Sequence, residues 1–93
     1  MQIKWTVPAR ADLQRLQLFL NSMSPASEEA TIRSIVVAVR RLEHYPRSGP
    51  VLEHYGVREV RKLMVGEYEV RYEFSAPLVS ILRVFHTRED RLN

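Results

Sequence analysis

The chain has 93 residues, no cysteine and a formal net charge of +3. That length predicts one domain, 1–93, whose core is too small to divide, and the missing cysteines exclude disulfides and cysteine-held zinc. A hydrophobic fraction of 45% argues against disorder, no apolar run approaches the roughly 20 residues of a membrane span, and residues 1–5 lack the apolar core of a signal peptide, so a small soluble cytoplasmic domain without membrane contact is expected.

The first element is a strand, in which Ile3, Trp5 and Val7 alternate with Lys4 and Thr6. Trp5 reads as core or edge packing. Pro8 stands where a helix can begin, because its missing N–H costs nothing in a first turn. Ala9, Leu13, Leu16, Leu20 and Met23 then form one apolar stripe of a helix over 8–23, widened by Phe19. Ser24 can cap a second helix with Pro25 at its first position. This helix is predicted over 25–44, with Ile32, Ile35, Val36, Val39 and Leu42 as its buried stripe. Its β-branched residues cost helix propensity, so it must be central to the core. The link between the helices is too short for anything but an antiparallel hairpin.

Residues 46–56 read as loop, with Pro46 and Gly49 stopping the helix and shaping the chain. Three strands follow, over 57–64, 67–74 and 78–85. In the second, Tyr68, Val70, Tyr72 and Phe74 share one face, and Glu67, Glu69, Arg71 and Glu73 the other. In the third, strict alternation puts Ser80, Leu82 and Val84 on one face, and Val79, Ile81, Arg83 and Phe85 on the other. The order strand, helix, helix and three strands predicts an α+β fold: an antiparallel helical hairpin on one face of a small, mostly antiparallel sheet. The opposite face is expected to be open to a partner or substrate.

Several chemistries are absent from the sequence. Gly49, Gly56 and Gly66 are dispersed and form no phosphate loop. His44, His54 and His86 have no metal-ligand spacing, so neither metal nor cofactor is expected. What remains is charge. Residues 1–50 hold seven basic and four acidic groups, whereas residues 51–93 hold seven of each. Arg61, Lys62, Arg71 and Arg83 lie on predicted strands, and His86, Arg88 and Arg91 near or beyond the last one. Such a set can neutralise a phosphate, with His86 as general acid or base. The same residues can equally form cross-strand ion pairs with Glu69 and Glu73 on a solvated face. Arg83 stands between Ile81 and Phe85, where a charge is costly unless paired or placed on the open face, which makes it the preferred functional arginine.

The chain resembles the RelE/ParE toxin superfamily of type II toxin–antitoxin modules. The resemblance is carried by Trp5, by Ala11-Asp12-Leu13, by Leu-Glu-His-Tyr-Pro-Arg-Ser-Gly over 42–49, and by the three strands. The most specific segments are Val57-Arg58-Glu59-Val60-Arg61-Lys62-Leu63, Gly66-Glu67-Tyr68-Glu69-Val70-Arg71-Tyr72 and Ile81-Leu82-Arg83-Val84-Phe85-His86-Thr87-Arg88. It implies the hairpin-on-sheet fold, a cognate antitoxin, a toxin–antitoxin hetero-oligomer and growth arrest. Two activities occur in that superfamily. RelE-like members cut mRNA on the ribosome through basic residues on the sheet, which maps here onto Arg61, Lys62, His86 and Arg88. ParE-like members inhibit DNA gyrase by binding and lack that set.

Ribonuclease members commonly carry Arg after the aromatic of the middle strand, where this chain has Glu69 after Tyr68. No tyrosine follows His86 either. The resemblance therefore implies a ParE-like gyrase inhibitor, with a ribosome-dependent mRNA interferase as the alternative. A non-toxic antitoxin-binding member is the third reading. Arg58, Arg61, Arg83, His86 and Arg88 are the expected target- or antitoxin-binding residues.

Overall fold

A computed structural model describes residues 1–89; the expectation for Arg91 lies outside them. The elements are β1 (Gln2–Trp5), α1 (Val7–Met23), α2 (Pro25–Arg40), 3-10 turns at Arg41–Glu43 and Glu53–Tyr55, β2 (Val60–Val65), β3 (Tyr68–Ser75) and β4 (Leu78–His86). The sheet order is β1-β4-β3-β2. β1 runs parallel to β4, and the other two pairs are antiparallel. This is the predicted α+β arrangement, and no helix among the described residues is long and apolar enough to cross a membrane.

Local chemistry explains the element ends. Thr6 caps α1: its Oγ1 accepts from Ala9 N–H at 3.3 Å and donates to the Ile81 carbonyl at 2.6 Å. Val7, assigned to the strand by alternation, instead opens the helix. Ser24 serves both helices. Its N–H donates to the Leu20 carbonyl at 2.9 Å, and its Oγ accepts from Ser27 N–H at 3.4 Å. The second helix tightens at Arg41 into a 3-10 turn instead of running on to residue 44. Gly66 supplies a φ of +60° to the β2–β3 turn.

Packing departs from the sequence reading in three places. The buried stripe of α1 is Ala9, Asp12, Leu16 and Leu20. Phe19 and Met23, assigned to the core, are 59% and 67% exposed. Their positions lie on the flank of the slanting stripe, near the end of the sheet. In β4, Arg71 pairs with Arg83 but Tyr72 pairs with Ile81, which leaves Leu82 as the extra residue of a bulge. Strict alternation is thereby broken: Val79, Ile81 and Val84 all enter the core. Finally, the face opposite the helices is partly roofed by the 51–59 connection, so that Val60 and Phe85 are buried there.

Tyr72 ties the long loop to this core. Its hydroxyl donates to the Pro46 carbonyl at 2.8 Å and accepts from Gly49 N–H at 3.2 Å. A side chain at Gly49 would collide with the Lys62 carbonyl. Tyr72→Phe strands two backbone groups and is expected to cost about 1–3 kcal/mol. Urea unfolding checks this; an unchanged midpoint would remove Tyr72 from the account of loop anchoring.

Candidate functional site: the α1 groove and the charged sheet

β1 ends at Trp5, so β4 beyond Ile81 has no strand on that side. α1 takes over that edge. Asp12, 3% exposed, offers its carboxylate to β4. Oδ2 accepts from Val84 N–H at 2.9 Å and from Arg83 Nε at 2.6 Å. Oδ1 accepts from Arg83 Nη2 at 3.0 Å and from Arg15 Nη1 at 2.7 Å. Burial pushes the Asp12 carboxyl up, but the hydrogen bonds from Arg83, Val84 and Arg15 outweigh it and hold the group below its ordinary value. Sequence reading missed Asp12. The signal was its position three residues after Ala9 and four before Leu16, on the apolar stripe, where a charge must be paired.

Of the arginines expected to contact a target, Arg58, Arg61 and Arg83 have intramolecular carboxylate partners. Arg83, 38% exposed at its side chain, pairs with Asp12. Arg58 chelates Glu73 at 2.8 and 3.2 Å and lies over the Tyr55 ring. Arg61 donates to Glu59 at 2.7 Å and to the Gly49 carbonyl at 2.6 Å, beneath the loop. Arg47 holds the same Glu59 carboxylate, and hydrogen bonds from Arg47 and Arg61 bring that carboxyl down to about 2. Glu69, 8% exposed, accepts from Arg71 Nε and Nη2 at 3.0 and 2.8 Å. Arg71 in turn stacks on Phe85 and donates to the Tyr55 hydroxyl. Lys62, in register with Arg71, makes no ion pair among the described residues.

The four residues of the ribonuclease-like set do not converge. Arg61 and Lys62 are consecutive on β2 and point to opposite faces. Arg61 pairs in register with Tyr72, whereas His86 pairs with Tyr68, about 13 Å away along β3. His86 and Arg88 do come together at the end of the sheet. His86 Nδ1 accepts from Arg88 N–H at 3.0 Å, and Nε2 lies 3.2 Å from Glu67 Oε1. Both ring nitrogens are thus engaged, and the ring meets Tyr68 edge-on at 5.0 Å. No cluster of three His, Asp or Glu suited to a metal occurs among the described residues.

Beside His86 lies an open groove of about 570 Å³. Leu16, Phe19, Leu20, Met23 and Tyr68 give it apolar walls, and Arg15, His86, Arg88 and Glu89 its polar rim. Sequence reading missed the groove because Phe19 and Met23 fit the helical stripe. The signal was an excess: 13–23 carries more large apolar residues than one helix face can bury.

Comparison with known proteins adds two kinds of finding. A family profile described as the ParE toxin of type II toxin–antitoxin system, parDE, matches residues 3–91. A curated relative, Toxin RelE2 of Caulobacter vibrioides, is 31% identical over 85 residues, covering 91% of this chain and 93% of the relative. A solved structure from the chromosomal ParDE toxin–antitoxin system of P. aeruginosa shares the fold, with a TM-score of 0.75 at 24% identity. That superposition covers 92% of this chain and 95% of the other.

Asp12→Asn is expected to lower unfolding stability by about 2–3 kcal/mol, the scale of lost charge-assisted hydrogen bonds. Asp12 has a folded value below its unfolded one. Its contribution is therefore full above the ordinary Asp range near pH 4 and lost as pH falls through the lowered value. The acid limb of a stability–pH curve should accordingly be flatter in Asp12→Asn than in the wild type, and parallel acid limbs would contradict the assignment.

Proposed function

The chain belongs to the ParE toxin family of type II toxin–antitoxin systems, and from that membership we propose that its 1–93 domain poisons DNA gyrase by binding, without cutting RNA. The observation that carries the reading is the pairing of charge on the sheet. Arg58, Arg61, Arg71 and Arg83 each have a carboxylate partner within 2.6–2.8 Å. An RNA backbone would have to compete with those carboxylates and, on the face that carries Arg71, would meet Glu69 and Glu73. A ribonuclease also needs its cations and its proton carrier around one phosphate, a convergence that Arg61, Lys62 and His86 lack. The proposed mechanism is occupation of a protein surface, in which shape and buried apolar contact set affinity.

Neutralisation by a cognate antitoxin is assigned to the α1 groove. Phe19 and Met23 expose apolar area that a folded partner segment can bury, and Arg88 on the rim has no ion pair among the described residues. A segment that folds on binding would cover the groove and stabilise the toxin by mass action.

Two observations favour the second reading, a RelE-like interferase: the 31% identical relative is named Toxin RelE2, and His86 and Arg88 do share one rim. Two assays separate the readings. The purified protein is expected to inhibit gyrase supercoiling and to leave mRNA intact in a translation extract. Codon-phased cleavage that disappears in His86→Ala would replace the gyrase reading with the interferase one. Absence of both activities, with no growth arrest on induction, would select the non-toxic antitoxin-binding member. Phe19→Glu, on an exposed position, is expected to weaken antitoxin binding at least about tenfold, the loss of one central apolar anchor, as read by titration calorimetry.

A further inference from the structure

The groove has a charged clasp at one end. Arg15 on α1 reaches Glu89, 74 residues further along the chain, with Nη2 at 3.2 Å from Oε1 and 3.1 Å from Oε2. Glu89 is itself seated by a short turn: its Oε1 accepts from His86 N–H at 2.8 Å, and its N–H donates to the His86 carbonyl at 2.9 Å. The contact therefore bridges α1 and the end of β4 across the rim, beside exposed Phe19 and Met23.

Arg15 does not depend on Glu89 for its position. Its Nη1 is fixed by the buried Asp12 at 2.7 Å, and its Nη2 lies 3.4 Å from the Val84 carbonyl. If Glu89 left, the guanidinium would stay aimed at the rim with one donor edge open, the arrangement that recognises a carboxylate. The rim would then present Arg15 together with Arg88, against a groove that is otherwise apolar. Apolar walls that end in cations fit an amphipathic partner segment carrying an acidic residue.

Resting on the reading of the groove as the antitoxin's seat, we propose that Glu89 is an internal stand-in for a carboxylate of the antitoxin: it occupies Arg15 in the unbound toxin and is displaced from it on docking. The unbound groove is then partly self-blocked, and apparent affinity is reduced by the fraction of molecules in which the clasp is open. Glu89 also masks the positive rim that would otherwise steer an acidic segment inward.

The test is titration of the purified protein with its cognate antitoxin, comparing wild type, Glu89→Gln and Phe19→Glu. Glutamine keeps an oxygen for the His86 N–H but gives up the charge held by Arg15. Glu89→Gln is expected to bind about three- to tenfold tighter at low salt, the scale of one released exposed ion pair plus steering. The gain should shrink towards nothing near 1 M salt. At the same time the unbound variant should melt no higher than wild type, so that affinity and stability move apart. If Phe19→Glu weakens binding while Glu89→Gln leaves it equal or weaker, the clasp is wrong and the groove assignment stands. If Phe19→Glu binds like wild type, the groove itself is not the seat and the clasp falls with it. Glu89→Ala, with the same expected tightening, decides the matter should the glutamine variant fail to fold.

Discussion

The buried carboxylate of Asp12 is the contact on which the rest of this architecture hangs. A helix laid along the exposed edge of a strand must satisfy the strand's unpaired backbone groups. Here Thr6 answers the Ile81 carbonyl and Asp12 answers the Val84 amide. The same carboxylate collects Arg83 from the sheet and Arg15 from its own helix. Three positional facts follow together: the path of α1 over β4, the direction of Arg83, and the aim of Arg15 at the groove. A carboxylate so placed is costly to bury alone, and its value lies in having all its acceptor sites used.

Charge on the sheet follows the same logic at lower stakes. Glu59 gathers Arg47 and Arg61, Glu73 takes Arg58, and Glu69 takes Arg71. Each pair is partly solvated and individually modest. Together they anchor the 46–59 connection against the strands and leave a surface close to electrical balance. A surface like that suits a protein target, read by shape, more than a polyanion, read by net charge.

Much of the fold was legible in the sequence because it rests on local rules. The proline and serine at 24–25 marked the helix junction, Gly66 marked a hairpin, and the alternation of Tyr68, Val70 and Tyr72 gave the face of β3. What escaped was set by contacts between distant residues. Asp12 is one acid among the early residues of α1 by local rules, and Arg83, 71 residues away, makes it a hub. Phe19 and Met23 obey helical periodicity, yet the sheet ends before it can cover them. Arg83 stands out in the sequence as the preferred functional arginine because its charge is costly unless paired or on the open face, and the structure pairs it inside the molecule with Asp12. His86 and Arg88 were legible as neighbours, but the groove they border was not, because neither strand nor helix periodicity encodes the space between two elements.

The bulge at Leu82 has a further consequence. One extra residue changes the parity of β4, so the strand carries two codes in sequence. Up to Ile81, odd-numbered residues serve the core; from Val84 on, even-numbered ones do. The first code is shared with β1, whose Ile3 and Trp5 pack against the core. The second turns the last side chain, His86, towards the groove. A single-residue deletion at this point would leave composition and length almost untouched while reversing the address of every side chain beyond it. On the proposed reading of the groove as the antitoxin's seat, partner recognition is therefore written in the phase of one strand as much as in the identity of its residues.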